Sequence, residues 1–327
     1  MEMKENMRIV FFGTPDFAAT SLRQLVSNGY QVVGVVTAPD RPSGRGYRLQ
    51  PSAVKEMAQK ILPNVPILQP EKLRDPGFLS SLKELGGDLF VVVAFRMLPM
   101  EVWAMPPRGT FNLHASLLPK YRGAAPIQHA ILNGEKKTGV TTFFLDEQID
   151  TGRIILQEEV PISEDDDGGS LHDKLMEVGA NLVCKTIDKI AEAKPDERLG
   201  TCQSTLVNDS DLPLPCAPKI FKEDRALSFR EQDAEQILLR VRAMSPYPTA
   251  FATLNDGKKT EIKVYKAEVV PDVVGLKPGE LLVTPARELI VQTKRLALRL
   301  LVLQPPSKRI MRAEDYLLGN EISGSFL

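Results

Sequence analysis

Apolar residues change spacing repeatedly along the first part of the chain, and each change marks an element. Arg8-Ile9-Val10-Phe11-Phe12-Gly13 is a short apolar run closed by a glycine turn; from Pro15 to Val26 the apolar positions return at helical spacing; Gln31 to Thr37 is again strand-like. The unit reads strand, helix, strand. It recurs with a strand over Val65–Gln69, a helix over Pro76–Leu85 and the run Leu89-Phe90-Val91-Val92-Val93-Ala94. Near-continuous Val and Phe without polar alternation predicts a strand covered on both faces, as in a parallel sheet flanked by helices. Two more strands are predicted at Thr110–Ala115 and Gly139–Leu145, around a helical stretch at Ala124–Leu132. After a further strand at Ile154–Ile162, Ser170 and Asp173 stand where a capping box opens an amphipathic helix ending near Ala193. The expected fold class is α/β, a doubly wound and mostly parallel sheet of Rossmann-like type.

The pattern breaks between Thr205 and Lys219, where LVNDSDLPLPCAPK holds three prolines and little periodicity, the chemistry of a linker. Beyond it a helix at Ala234–Met244 precedes short strands at Ala250–Leu254, Thr260–Val270, Glu280–Val283, Leu289–Thr293 and Ala297–Val302. An Asp256-Gly257 turn joins the first two. Such spacing predicts a small antiparallel β-barrel of OB-like type. The division expected is an N-terminal extension at 1–7, a catalytic domain at 8–205, a linker at 206–218 and a C-terminal barrel at 219–327.

A chain of 327 residues suits two domains, and 43% hydrophobic with 25% charged residues argues against disorder, collagen-like repeats and coiled coil. The longest apolar stretches, such as Leu89–Phe95, fall far short of the ~20 residues that span a bilayer, so no membrane segment is expected. Met1 to Met7 match neither a secretory signal nor an Arg-rich transit peptide, and a cytoplasmic location is expected. Cys184, Cys202 and Cys216 are odd in number and widely spaced, without CxxC or a nearby histidine pair, which indicates neither disulfides nor a metal site. The net charge of −1 conceals an asymmetry: residues 218–327 hold 18 Lys and Arg against 14 Asp and Glu, and the rest of the chain is acidic. The C-terminal part is the one suited to a polyanion.

Alternation along the strand at Thr110–Ala115 puts Asn112 and His114 on one face, where they can converge on a small group. The loop after it, Ser116-Leu117-Leu118-Pro119-Lys120-Tyr121-Arg122-Gly123, lies at a carboxyl end, the edge at which open α/β sheets bind ligands. A third polar residue comes from Leu145-Asp146-Glu147-Gln148-Ile149-Asp150-Thr151-Gly152.

NLHASLLPKYRGAAP followed by LDEQIDTG resembles the signature of the 10-formyltetrahydrofolate-dependent formyltransferase family. The opening VFFGTPDF, the loop TAPDRPSGRG and APK at Ala217–Lys219 extend the resemblance over most of the chain and towards members that formylate initiator methionyl-tRNA. The resemblance implies a catalytic trio of Asn112, His114 and Asp150, with Asp150, directly before Thr-Gly, matching better than Asp146. Asn112 would donate an N–H to the formyl oxygen, His114 would supply a second donor and a proton, and Asp150 would hold His114.

The resemblance also implies a folate slot lined by Phe95, Arg96, Met97 and Leu98, with Ser116, Leu117, Leu118, Pro119 and Asp146 beside it; many tRNA-acting members have Gly where Arg96 stands. Arg41, Arg45 and Arg48, in a loop of three arginines, two glycines and two prolines, are implied to meet the acceptor arm of the tRNA. Tyr47, where the family often has a basic residue, is a candidate for stacking on a base. Lys258, Lys259, Lys263, Lys266, Lys294, Arg295 and Arg299 are candidates for the tRNA body. The protein is expected to act as a monomer, with no metal.

The alternative is a formyltransferase acting on an amino sugar nucleotide with the same trio; those enzymes usually lack DRPxGRG, which favours tRNA. A nicotinamide-dependent dehydrogenase fits the α/β pattern but not the first turn, because Gly13-Thr14-Pro15-Asp16-Phe17 lacks G-x-G-x-x-G and Pro15 blocks close approach of a phosphate.

Overall fold

The computed structural model describes residues 7–43, 48–194, 199–207 and 212–327, which form two compact units. The main strands of the first unit are β1 (Ile9–Gly13), β2 (Val32–Val36), β3 (Ile67–Leu68), β4 (Leu89–Val93), β5 (Thr110–His114), β6 (Lys137–Phe144) and β7 (Ile154–Pro161). They form one sheet in the order β7-β6-β5-β4-β1-β2-β3. Neighbours from β3 to β5 are parallel, whereas β6 is antiparallel to both β5 and β7. The order reverses between β1 and β4, the switch point of a doubly wound sheet, and ligands of such sheets bind beyond the carboxyl ends of the strands at that point.

The first unit carries α1 (Asp16–Ser27), α2 (Ala53–Ile61) and α3 (Pro76–Glu84). Asp75 caps α3 by accepting from Phe78 N at 2.9 Å, ahead of Pro76 in its first turn. The elements expected above omit α2, although Val54, Met57, Ala58 and Ile61 recur at helical spacing; the Ser52 hydroxyl starts it by accepting from Lys55 N at 3.1 Å. On one face of the sheet Phe12 packs against Phe90 and Phe95, with ring centroids 5.2 and 5.8 Å apart, among Val10, Val36, Phe78, Leu82 and Val92. This cluster fixes the carboxyl ends of β1 and β4 next to each other.

The second unit comprises Ala124–Lys136, Ile162–Leu171 and Ala217–Leu327. It therefore includes α4 (Pro126–Leu132) and the approach to the long helix α5 (Gly168–Glu192), both of which the sequence suggests as parts of the α/β domain. Leu132 packs on this unit's core, and the Arg242 guanidinium donates to the carbonyls of Asp166 and Ser163 at 2.8 Å each. The capping box of α5 lies earlier than Ser170/Asp173: Asp167 Oδ1 accepts from Ser170 N, and Ser170 Oγ accepts from Asp167 N.

In the same unit α6 (Ala234–Met244) packs against β8 (Ala250–Leu254), β9 (Thr260–Val270), β10 (Leu281–Val283), β11 (Leu289–Gln292) and β12 (Ala297–Gln304). The strand order is Ala226–Leu227, β8, β9, β12, β11, β10, with Met311–Arg312 beside β12. The antiparallel sheet expected of the C-terminal part is present and it is not closed: among the described residues no ladder joins the end strands. Ser325–Leu327 bridge the gap instead, by single β-bridges to Leu254 and Glu280, with Phe326 wholly buried against Phe229.

Candidate active site

In β5, Leu113 faces Gly179 of α5 so closely that a Cβ on Gly179 would lie 2.8 Å from Leu113 Cδ2. Alternation then turns Asn112 and His114 to the opposite face, where they pair with Phe143 and Thr141 of β6. Among the described residues the Asn112 side chain has no hydrogen-bond partner and is only partly buried. His114 is 8% exposed, and its Nε2 lies 2.9 Å from the carbonyl of Tyr121. A carbonyl only accepts, so Nε2 carries the hydrogen of the neutral ring and the second proton of a charged ring sits on Nδ1. Nδ1 faces Asp150 Oδ2 at 3.8 Å, too far for a direct hydrogen bond and close enough for strong attraction of a charged ring.

The loop that delivers Asp150 starts on the far side of the sheet. Because β6 runs against β5, Leu145 N donates to Thr110 O beside the start of β5, and the chain must double back to reach His114 at the other end. Asp150 Oδ2 accepts from Gly123 N at 2.9 Å, and Gln203 Nε2 donates to the carbonyls of Asp150 and Gly152 at 2.9 Å each. Asp146 is exposed and accepts from Gln148 N at 3.1 Å and Thr151 Oγ1 at 2.7 Å, which makes it the brace of the turn.

Ala94, Tyr121 and Asp150 have φ of 45°, 60° and 54° and are the only non-glycine residues of this unit with positive φ among those described. Each costs on the order of 1–3 kcal/mol and persists only where its surroundings over-determine it. All three lie in the segments that follow β4, β5 and β6.

The two segments assigned to the folate slot differ in what they leave free. In the loop after β5, Ser116 O accepts from Thr141 Oγ1 at 2.7 Å, Leu118 N donates to the same hydroxyl at 3.2 Å, and Leu118 O accepts from Gln157 Nε2 at 2.8 Å. Ser116 Oγ donates to Lys120 O, and the side chain of Leu117 lies against Gly139. Leu118 is buried and Pro119 half-buried, so this loop is braced to β6 and β7 and offers few groups to a ligand.

After β4 the situation reverses: the main chain of Phe95, Arg96, Met97 and Leu98 makes no hydrogen bond within the described residues. Leu98 is buried and Met97 is 77% exposed. Arg96 reaches away, donating to Glu71 O at 2.8 Å and to Pro70 O, with its guanidinium 5.6 Å from the Phe95 ring. Burial pushes this guanidinium below its usual range; Glu71 opposes the shift and Arg41 adds to it. An apolar floor with unclaimed amides and carbonyls is the donor set a flat heterocycle requires, and Arg96 ties that segment to the Pro70–Glu71 turn. Among the described residues no cluster of His, Cys, Asp and Glu could hold a metal ion, and no helix is long and apolar enough to cross a membrane.

The arginine loop begins as a two-stranded ribbon, Arg41–Ser43 against Arg48–Gln50, with Arg41 exposed. Arg45 and Tyr47 lie outside the described residues, and of Arg48 only the backbone is described. Asp40 clamps the base of the ribbon, accepting from Lys55 Nζ at 2.6 Å and Gln69 Nε2 at 2.7 Å, and these bonds, from Lys55 first, hold its carboxyl below the usual range. In the second unit Arg295 pairs with Asp233 and Glu235, and Arg299 is enclosed by Glu268 and Glu288, so both charges are compensated internally. Lys258, Lys259, Lys263, Lys266 and Lys294 are exposed without such partners.

Residues 7–187 match the family model described as formyl transferase, and residues 219–321 match its C-terminal domain. The chain is 49% identical over 319 residues to the methionyl-tRNA formyltransferase of Parabacteroides distasonis, across 97% of this chain and 96% of that relative. It is 43% identical to that of Flavobacterium johnsoniae, across 96% of each. Among solved structures, HypX from Aquifex aeolicus in complex with tetrahydrofolic acid superposes at TM-score 0.62 with 19% identity, over 96% of this chain and 47% of its own. The N-formyltransferase from Helicobacter canadensis in complex with folinic acid and dTDP-3-aminofucose gives TM-score 0.62 with 20% identity, over 91% and 99%. At these identities the two structures speak for the fold.

Proposed function

The chain belongs to the formyl transferase family, and from that premise we propose that it transfers the formyl group of 10-formyltetrahydrofolate to the α-amino group of methionine on initiator methionyl-tRNA. Near-complete coverage of relatives bearing that one activity supports the acceptor. One observation carries the chemistry: the unpartnered Asn112 carboxamide shares a strand face with a His114 whose Nδ1 is turned to a carboxylate.

The folate supplies the formyl carbon as an electrophile and leaves as an amine. The acceptor, an α-amino group with an unperturbed pKa of about 8, has a usable neutral fraction near pH 7 and needs little activation. What the protein must supply is a donor for the charge that develops on the formyl oxygen and a proton for the departing nitrogen. Asn112 provides the N–H, held by the ladder to β4 and β6 and drawn into no bond that must first break. His114 provides the proton from Nδ1, since Nε2 is tied to Tyr121. Asp150 offsets the charge of the imidazolium and keeps Nδ1 directed into the site. Phe95 to Leu98 take the pterin by main-chain groups.

Arg41, Arg45 and Arg48 meet the acceptor arm, and the exposed lysines of the second unit meet the tRNA body. KM for tRNA is expected to rise steeply with salt, and replacing the three arginines with Ala should flatten the log-log slope by about 2–3, near 0.7–0.9 per phosphate lost. A slope unchanged in the triple variant would remove the ribbon from the interface. The protein acts in the cytoplasm as a monomer.

The deciding experiment mixes the protein with 10-formyltetrahydrofolate and either initiator methionyl-tRNA or an amino sugar nucleotide. Formylmethionyl-tRNA is expected, with no sugar product and little formate released when acceptor is absent. Formylation of the sugar nucleotide alone would reverse the assignment.

A further inference from the structure

The structure assigns to Gln203, oriented by Arg122, the task of holding the Asp150 carboxylate in place: Gln203 is a positioning residue for the reaction. This rests on the reading of Asp150 as a member of the trio. Gln203 is 1% exposed and lies between the two family-model matches, which end at residue 187 and resume at 219. Its segment is pinned to the start of β7, because Thr201 and Ile154 exchange both backbone hydrogen bonds, at 2.8 and 2.9 Å. Arg153 reinforces this by donating to Leu199 O at 3.1 Å and to Gly200 O.

All four hydrogen-bonding places on the Gln203 amide are filled. Its NH2 donates to Asp150 O and Gly152 O, and its Oε1 accepts from Arg122 Nε at 3.1 Å and Nη2 at 2.6 Å. A flipped amide would turn Oε1 against two carbonyl oxygens and NH2 against a guanidinium, so Arg122 dictates which end faces the loop. The two donations grip the loop on either side of Thr151 and stabilise Asp150 at a φ of 54°, a conformation that needs outside support. Arg122 and Gly123, whose N–H bonds the Asp150 carboxylate, are consecutive. One short stretch therefore fixes both the backbone and the side chain of Asp150.

The test measures kcat and KM for both substrates in Gln203→Glu, Gln203→Met and Asp150→Asn. Gln203→Glu keeps the size and the pair with Arg122 but sets an acceptor against both loop carbonyls. It is expected to lower kcat about ten- to hundredfold while both KM values stay within about twofold, as a small misplacement of a reacting group does. Gln203→Met, neutral and of similar length, is expected to lose less. If Gln203 merely filled space or paired with Arg122, Glu would be the milder change.

Normal kcat in Gln203→Glu, or a raised KM with kcat intact, overturns the inference. Should Gln203→Glu not fold, the same split between kcat and KM in Gln203→Met decides. Normal turnover by Asp150→Asn would sink the trio reading itself; an impaired Asp150→Asn beside unimpaired Gln203 variants would sink this inference alone.

Discussion

Asn112→Ala is expected to lower kcat by about 10²–10³-fold with KM for either substrate nearly unchanged, because the charge its N–H meets exists only on the way to the transition state. The protein should not notice the loss otherwise. The carboxamide has no partner within the described chain, so no group is left unpaired and the melting temperature should hold. His114→Ala is expected to cost at least as much in kcat, through loss of the proton donor, but with a second signature. It also removes the bond between Nε2 and the Tyr121 carbonyl, and losing one intramolecular hydrogen bond costs about 0.5–1.5 kcal/mol, a drop of a few degrees in a chain of this size. Steady-state kinetics paired with thermal unfolding separates the two. Near-normal turnover by both variants would refute the site.

What the sequence made legible is what depends on local pattern. The unbroken apolar run of β4 and the alternation that sets Asn112 and His114 on one face are properties of consecutive residues, and β8 and β9 match their predicted bounds. Only the motif favours Asp150 over Asp146 in the sequence, whereas the bonds of Asp146 to Gln148 N and Thr151 Oγ1 within its own turn are visible in the structure alone. Non-local features were not legible. The reversal of β6 decides that the Asp150 loop must fold back, yet a strand's direction leaves no mark in its own composition. Gln203 and Gln157 stand in no pattern of their own; their roles come from partners 53 and 39 residues away. The strand order of the second unit has the same origin, since the strands were countable and their pairing was not.

Gly152→Ala is expected to lower kcat by about 100-fold although it touches no reacting group. The loop carrying Asp150 returns past the end of β6 so tightly that a Cβ at Gly152 would sit 1.7 Å from Phe144 O and 2.8 Å from its carbonyl carbon. Neither atom can yield. Phe144 N is bonded to Arg153 O, and Phe143 lies fully buried between Leu118 and Ile154. The loop must move instead, and that movement takes Gly152 O off Gln203 and shifts Asp150, where about 1 Å of misplacement is worth about 10² in rate. Overpacking of this kind also costs about 1–3 kcal/mol, so the melting temperature should fall by several degrees. Gly319→Ala, at a position with nothing within 4 Å and no positive φ, is the matched control and should change neither quantity. If Gly152→Ala loses stability but keeps kcat, the loop can reach His114 by a second path, and the tight return does not hold Asp150 where the chemistry requires it.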